Sequence, residues 1–162
     1  MNAILVIAAN RGRARFFGAE PDPSEPQRLR LVERDELDNP DVRRPEGASG
    51  KTRTDTNTNR QAGPVHPIVA RRARHEFELG RRFAQQIERR VAEHTRGWHV
   101  GTVVLVAEPQ LLGLLRGGLR AALDPGVALK ELAKDYTQLT VSELRDRLAL
   151  DRLIPAKEIS PQ

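Results

Sequence analysis

Apolar residues in this chain fall into runs of two periods. Ala3 to Ala9 (AILVIAA) and Thr102 to Ala107 (TVVLVA) are short continuous apolar runs, the second rich in β-branched residues, and both suit strands covered on their two faces. Asn10-Arg11-Gly12 is turn chemistry tolerant of positive φ, so the chain is expected to double back into a second strand, Arg13 to Gly18, anchored by Phe16 and Phe17. Arg28 to Arg34 (RLRLVER) alternates charged and apolar residues as an edge strand does.

From Pro67 to Glu93 the period changes. Val69, Ala73, Phe77, Gly80, Ala84, Ile87 and Val91 recur at helical spacing and form one stripe, widened by Phe83, which predicts a long helix packed by that face on the sheet and closed by Gly97. After Thr102 to Ala107, Glu108-Pro109 ends the strand, and Leu111, Leu112, Leu115 and Leu119 give a second helix. Asp124-Pro125-Gly126 turns into a short strand over Val127 to Ala133, which the βαβ connection requires. Thr140-Val141-Ser142-Glu143 reads as a capping box opening a last helix to about Leu150 that packs Val141, Leu144 and Leu148. The order is β-β-β-α-β-α-β-α. A five-stranded mixed sheet in order 3-2-1-4-5, with strand 2 antiparallel, satisfies hairpins and crossovers together, in a single α/β domain over residues 1–150.

Two segments lie outside this pattern. Residues 35–66 are poor in large apolar side chains and rich in Pro, Gly, Asn, Thr and Arg; the composition fits a mobile insertion or a functional loop and favours the first. Residues 151–162, with two prolines, read as a loose tail.

Composition then narrows the chemistry. At 162 residues one core is large enough without staples, and with no cysteine there is no disulfide framework, thiolate nucleophile or cysteine-ligated zinc. No export signal and no membrane-length apolar segment is evident, so a cytoplasmic protein without membrane insertion is expected. The net charge is +5, and residues 41–96 hold thirteen Lys or Arg against seven Asp or Glu, so the whole surplus sits there. Arg71, Arg82 and Arg89 fall on the helix face opposite the apolar stripe, beside a segment carrying Arg43, Arg44, Lys51, Arg53 and Arg60. Such a surface suits phosphate backbones, while a solvated face laced with pairs such as Glu78 to Arg82 fits the pattern equally well. Scarce aromatic residues argue against base-specific stacking.

Catalytic and metal motifs fail on inspection. Gly50-Lys51-Thr52 lacks the glycine a phosphate loop needs, since Pro45 stands there, and His75-Glu76 is followed by Leu79 where a zinc-protease helix would carry its second histidine. Neither a catalytic residue nor a cofactor or metal site is expected. Asp135 is expected to tie the loop before Thr140; Gly113 to allow close approach of helix to sheet; Arg116 to make an ion pair.

RGRARFF (Arg11 to Phe17), Asp38-Asn39-Pro40, HEFELGRRFAQQI (His75 to Ile87), LVAEPQLLGLLR (Leu105 to Arg116) and AKDYTQLT (Ala133 to Thr140) together resemble the bacterial host attachment protein family, from about Ile4 to Leu150. That family is similar to the central domain of archaeal and eukaryotic class-one peptide release factors, and the resemblance implies a ribonuclease-H-like sheet and contact with the ribosome or tRNA. In those factors the loop before the long helix carries Gly-Gly-Gln; here Gln61-Ala62-Gly63 is not that motif, and Asn10 stands where many relatives have an acidic residue. The resemblance therefore implies a non-enzymatic release-factor-like module first, a protein required for attachment to host cells second, and a peptidyl-tRNA hydrolase last.

Overall fold

The computed structural model describes residues 3–41, 66–97 and 99–156. Strands β1 (Ala3–Ala9), β2 (Arg13–Pro21) and β3 (Leu29–Asp38) precede helix α1 (His66–Gly97); β4 (Val100–Ala107), α2 (Pro109–Ala122), β5 (Ala128–Ala133) and α3 (Val141–Leu150) follow. The sheet order is β3-β2-β1-β4-β5, with β2 antiparallel to β1 and β3, and β4 parallel to both β1 and β5. Both the α/β class and the strand order agree with the apolar pattern.

Alternation along the central strands splits the core in two. Leu5, Ile7, Phe16, Val103 and Leu105 meet α1 and α2 on one face, while Val6, Ala8, Phe17, Val104 and Val106 meet α3 on the other. Phe16 and Phe17 are both fully buried, one on each face. Burial of side chains this size stabilises by about 1.5–3 kcal/mol each. The capping box forms: Glu143 N–H donates to Thr140 Oγ1 at 3.2 Å, and Thr140 N–H to Glu143 Oε1 at 3.0 Å.

Four expectations need correction. First, residues 35–38 belong to β3, not to the polar loop; Arg13 to Asp38 on the two strands are paired across a register shift between Phe16 and Phe17. Phe17 opposes Glu33 and Phe16 opposes Asp35, so Arg34 is the extra residue of a bulge that sends Glu33 and Asp35 to opposite faces. Second, the apolar stripe of α1 meets the sheet only from Gly80 onward: Phe83, Ala84, Ile87 and Val91 are buried, whereas Val69 and Phe77 are 54% and 55% exposed.

Third, Gly113 makes no close approach, because a Cβ built there meets nothing within 4 Å. The glycines that let α2 cross α1 are Gly80, where a Cβ would lie 3.2 Å from Leu114 Cδ1, and Gly118, where it would collide with the Glu88 carboxylate. Fourth, the tail does not begin at residue 151. Arg152 takes a left-handed φ of 59°, and Leu153 N–H donates to Leu148 O at 2.9 Å, closing α3 and returning Ile154, 3% exposed, to the core.

Candidate nucleic-acid interface

Helix α1 runs 32 residues, and a helix rises about 1.5 Å per residue, so Arg71 and Arg82 stand roughly 16 Å apart along its axis and Arg89 roughly 10 Å further. All three are exposed, and among the described residues none of them makes an ion pair. Glu78, which the alternative of a solvated face would pair with Arg82, lies 3.9 Å from Arg81 instead. Arg43, Arg44, Lys51, Arg53 and Arg60 lie outside the described residues.

Near its C-terminal end the helix is also clamped to the sheet by polar contacts. The bulge carries Asp35 to the α1 side, where its Oδ2 accepts from an Arg90 guanidinium N–H at 2.6 Å and lies 3.0 Å from His94 Nε2. The His94 ring also packs on Phe16 at 5.5 Å between centroids. Burial alone would raise the Asp35 carboxyl, but the hydrogen bonds from Arg90, His94 and the Glu36 N–H outweigh it and hold the group below its usual range.

The carboxyl edge of β1, β4 and β5 is where an open α/β sheet usually offers a ligand crevice. Here the part between β1 and β5 is occupied by the protein's own polar groups. Asn10 Oδ1 accepts from the Gly12 and Arg13 N–H groups at 2.8 and 2.9 Å, and Asn10 Nδ2 donates to Asp135 Oδ2 and Thr137 Oγ1 at 3.1 and 3.0 Å. Asn10 therefore serves the turn through its amide, not through a left-handed backbone, which among non-glycine described residues only Arg152 adopts.

Asp135 Oδ1 accepts from the Thr137 N–H and hydroxyl at 3.0 and 2.6 Å. Burial works against ionisation of Asp135, yet these bonds, the Asn10 amide and the nearby Arg13 charge together lower its pKa. These bonds join the segment after β5 to the turn after β1. Glu108, at the end of β4, has Oε1 3.1 Å from Arg11 Nε in an ion pair not aligned for a hydrogen bond. Among the described residues no group of three or more His, Asp and Glu converges in a way that could hold a metal.

Arg116 makes its expected ion pair, Nε to Glu131 Oε2 at 2.9 Å, shared by Arg120 at 3.2 Å. The residue most underrated by sequence reasoning is Arg15, 9% exposed. Its guanidinium forks onto Glu33 at 3.1 and 2.8 Å, donates to the Thr137 and Leu139 carbonyls at 3.2 and 2.8 Å, and lies 4.9 Å from the Phe17 ring centre. The signal was parity: Arg15 and Phe17 share a strand face that must be buried if Phe17 is. Asn39, quoted above only as part of Asp38-Asn39-Pro40 and given no role there, is 3% exposed, its Nδ2 donating to Arg11 O at 2.9 Å and its N–H to Gly12 O at 3.0 Å. It pins the end of β3 onto the β1–β2 turn.

Comparison with known proteins places this arrangement. No curated protein matches the chain. Among solved structures, the archaeal translation termination factor aRF1 matches at a TM-score of 0.38 and 13% identity, over 94% of this chain and 39% of that one, a likeness too distant to carry an argument. The family model described as "Protein required for attachment to host cells" matches residues 5–148, from β1 into the last turn of α3, and the chain belongs to that family.

Proposed function

We propose that the chain is a non-catalytic, cytoplasmic binding module that holds structured RNA, of the ribosome or tRNA, by its phosphates. The outer face of α1 would supply Arg71, Arg82 and Arg89, and the segment before it Arg43, Arg44, Lys51, Arg53 and Arg60. The observation that supports this is the row of exposed arginines without ion pairs among the described residues, because guanidinium groups not already engaged by carboxylates are available to phosphate oxygens. That Asp135 and Asn10 are consumed in structural bonds favours binding over catalysis.

The test is sedimentation of the tagged protein with ribosomal particles at low and raised salt. Co-migration lost at raised salt, and lost at low salt in an Arg71→Glu, Arg82→Glu, Arg89→Glu variant that keeps its circular dichroism, is the expected result. Unchanged sedimentation of that variant would refute the assigned surface.

Family membership favours a second reading, a role in attachment to host cells exercised either at the surface or indirectly through other factors. Cell fractionation separates these: protein confined to the cytosol leaves only the indirect route. Among the described residues no helix is long and apolar enough to cross a membrane.

A further inference from the structure

The outer arginines of α1 continue past Arg89. Arg82, Arg89 and Arg96 stand seven residues apart, so each step rises by roughly 10 Å and drifts by only about 20° round the helix. Arg96 is exposed, and its Nε donates to Ala92 O at 3.3 Å, a bond that uses one of the N–H groups of its guanidinium. Two acids stand three or four residues from this line, close enough to neutralise it: Glu78 before Arg82, and Glu93 between Arg89 and Arg96. Both are drawn aside. Glu78 lies 3.9 Å from Arg81, and Glu93 lies 3.7 Å from Arg90, which also holds Asp35. Among the described residues the line keeps no acidic partner, and the exposed residue beside both Arg82 and Arg89 is the neutral Gln85. This half of α1 is also the one sealed to the sheet, through Phe83, Ala84, Ile87 and Val91.

We propose that this line seats the backbone of duplex RNA, with Arg82, Arg89 and Arg96 engaging phosphates of an A-form helix and Gln85 reading a ribose 2′-hydroxyl. The inference deepens the RNA-binding reading above and rests on it. Rigidity selects a duplex. Guanidinium groups carried at fixed intervals on an anchored helix match phosphates that are themselves held in a fixed array, whereas a flexible strand loses conformational freedom to follow them. Single strands are held largely by stacking on aromatic rings, and the exposed phenyl ring of α1, Phe77, falls about a third of a turn away from the line. Gln85 selects RNA. It follows Arg82 by three residues and precedes Arg89 by four, and its amide both donates and accepts, as the 2′-hydroxyl that separates RNA from DNA does.

Binding of the full chain to a short labelled RNA duplex, to the DNA duplex of the same sequence and to one RNA strand alone, each over a range of salt, tests this. The RNA duplex is expected to bind tightest. Arg96→Gln should reduce the slope of log affinity against log salt by about 1, the loss of one phosphate contact. Arg120→Gln makes the same change of charge at an exposed arginine held by Glu131 on α2, and should leave the slope unchanged. Gln85→Ala should narrow the preference for the RNA over the DNA duplex by about fivefold, the scale of one hydrogen bond, and keep the slope. Circular dichroism checks that each variant is folded. Equal loss of slope in Arg96→Gln and Arg120→Gln, equal affinity for the two duplexes, or tighter binding of the single strand overturns the proposal. If RNA binding is lost in the Arg71→Glu, Arg82→Glu, Arg89→Glu variant and unchanged in Arg96→Gln, this inference falls and the RNA-binding reading stands. If no RNA binds at all, both fall.

Discussion

The two halves of α1 carry one apolar stripe and meet different surroundings. From Gly80 to Val91 the stripe is sealed against β1, β2, β4 and α2, with Phe83 1% and Ile87 0% exposed. From Ile68 to Phe77 the same spacing leads to side chains that stand in solvent. Periodicity thus identifies a face that prefers cover, and the topology decides whether the same domain supplies it. The sheet ends before the helix does.

The largest effect is expected where this contrast is sharpest. Phe83→Ala removes a fully enclosed ring and should cost about 3–5 kcal/mol in urea unfolding, whereas Phe77→Ala should cost less than about 1 kcal/mol. Equal losses would mean the first half of the helix is covered after all.

Next in size is the clamp that positions the sealed half. Asp35→Ala leaves Arg90 and His94, both partly buried, without the carboxylate they share, and should cost about 1–3 kcal/mol. The acid side of the stability curve should change with it. The folded-state pKa of Asp35 lies below its ordinary 3.8, so its contribution is complete above that value and is lost as pH falls through the folded value. The alanine variant should therefore lose less stability than the parent on going below pH 3.8.

Strand order, the three helices and the capping box were legible because each rests on local pattern: continuous apolar runs for β1 and β4, leucines at helical spacing for α2, Thr140 and Glu143 three apart for α3. The bulge at Arg34 was not, because a one-residue register shift depends on how β2 and β3 meet and leaves no mark in either strand alone. Asp35 therefore read as the start of a loop. Arg15 escaped for a related reason: its partners Glu33, Thr137 and Leu139 are distant in sequence, and an arginine in a basic chain looks like surface until its strand face is known. Of the candidate interface, the common face of Arg71, Arg82 and Arg89 followed from spacing, but their lack of ion pairs among the described residues did not, since Glu78 could as well have reached Arg82 as Arg81.

The smallest effect sits where α1 meets α2 and runs opposite in sign to Asp35. Glu88 lies against Gly118 and, among the described residues, has no hydrogen bond or ion pair, so burial raises its pKa above the ordinary 4.5. A carboxyl that holds its proton more tightly when folded stabilises fully below 4.5 and loses that contribution as pH rises from there through the folded value. Glu88→Gln removes this loss, so the variant should be more stable than the parent above the window by about 0.5 kcal/mol at most, and no more stable below it. Urea unfolding at pH 3.5 and at pH 7 reads the difference. A gain of equal size at both pH values would assign the effect to packing of the amide on Gly118, and a loss at pH 7 would mean that the carboxylate has a partner across the α1–α2 contact.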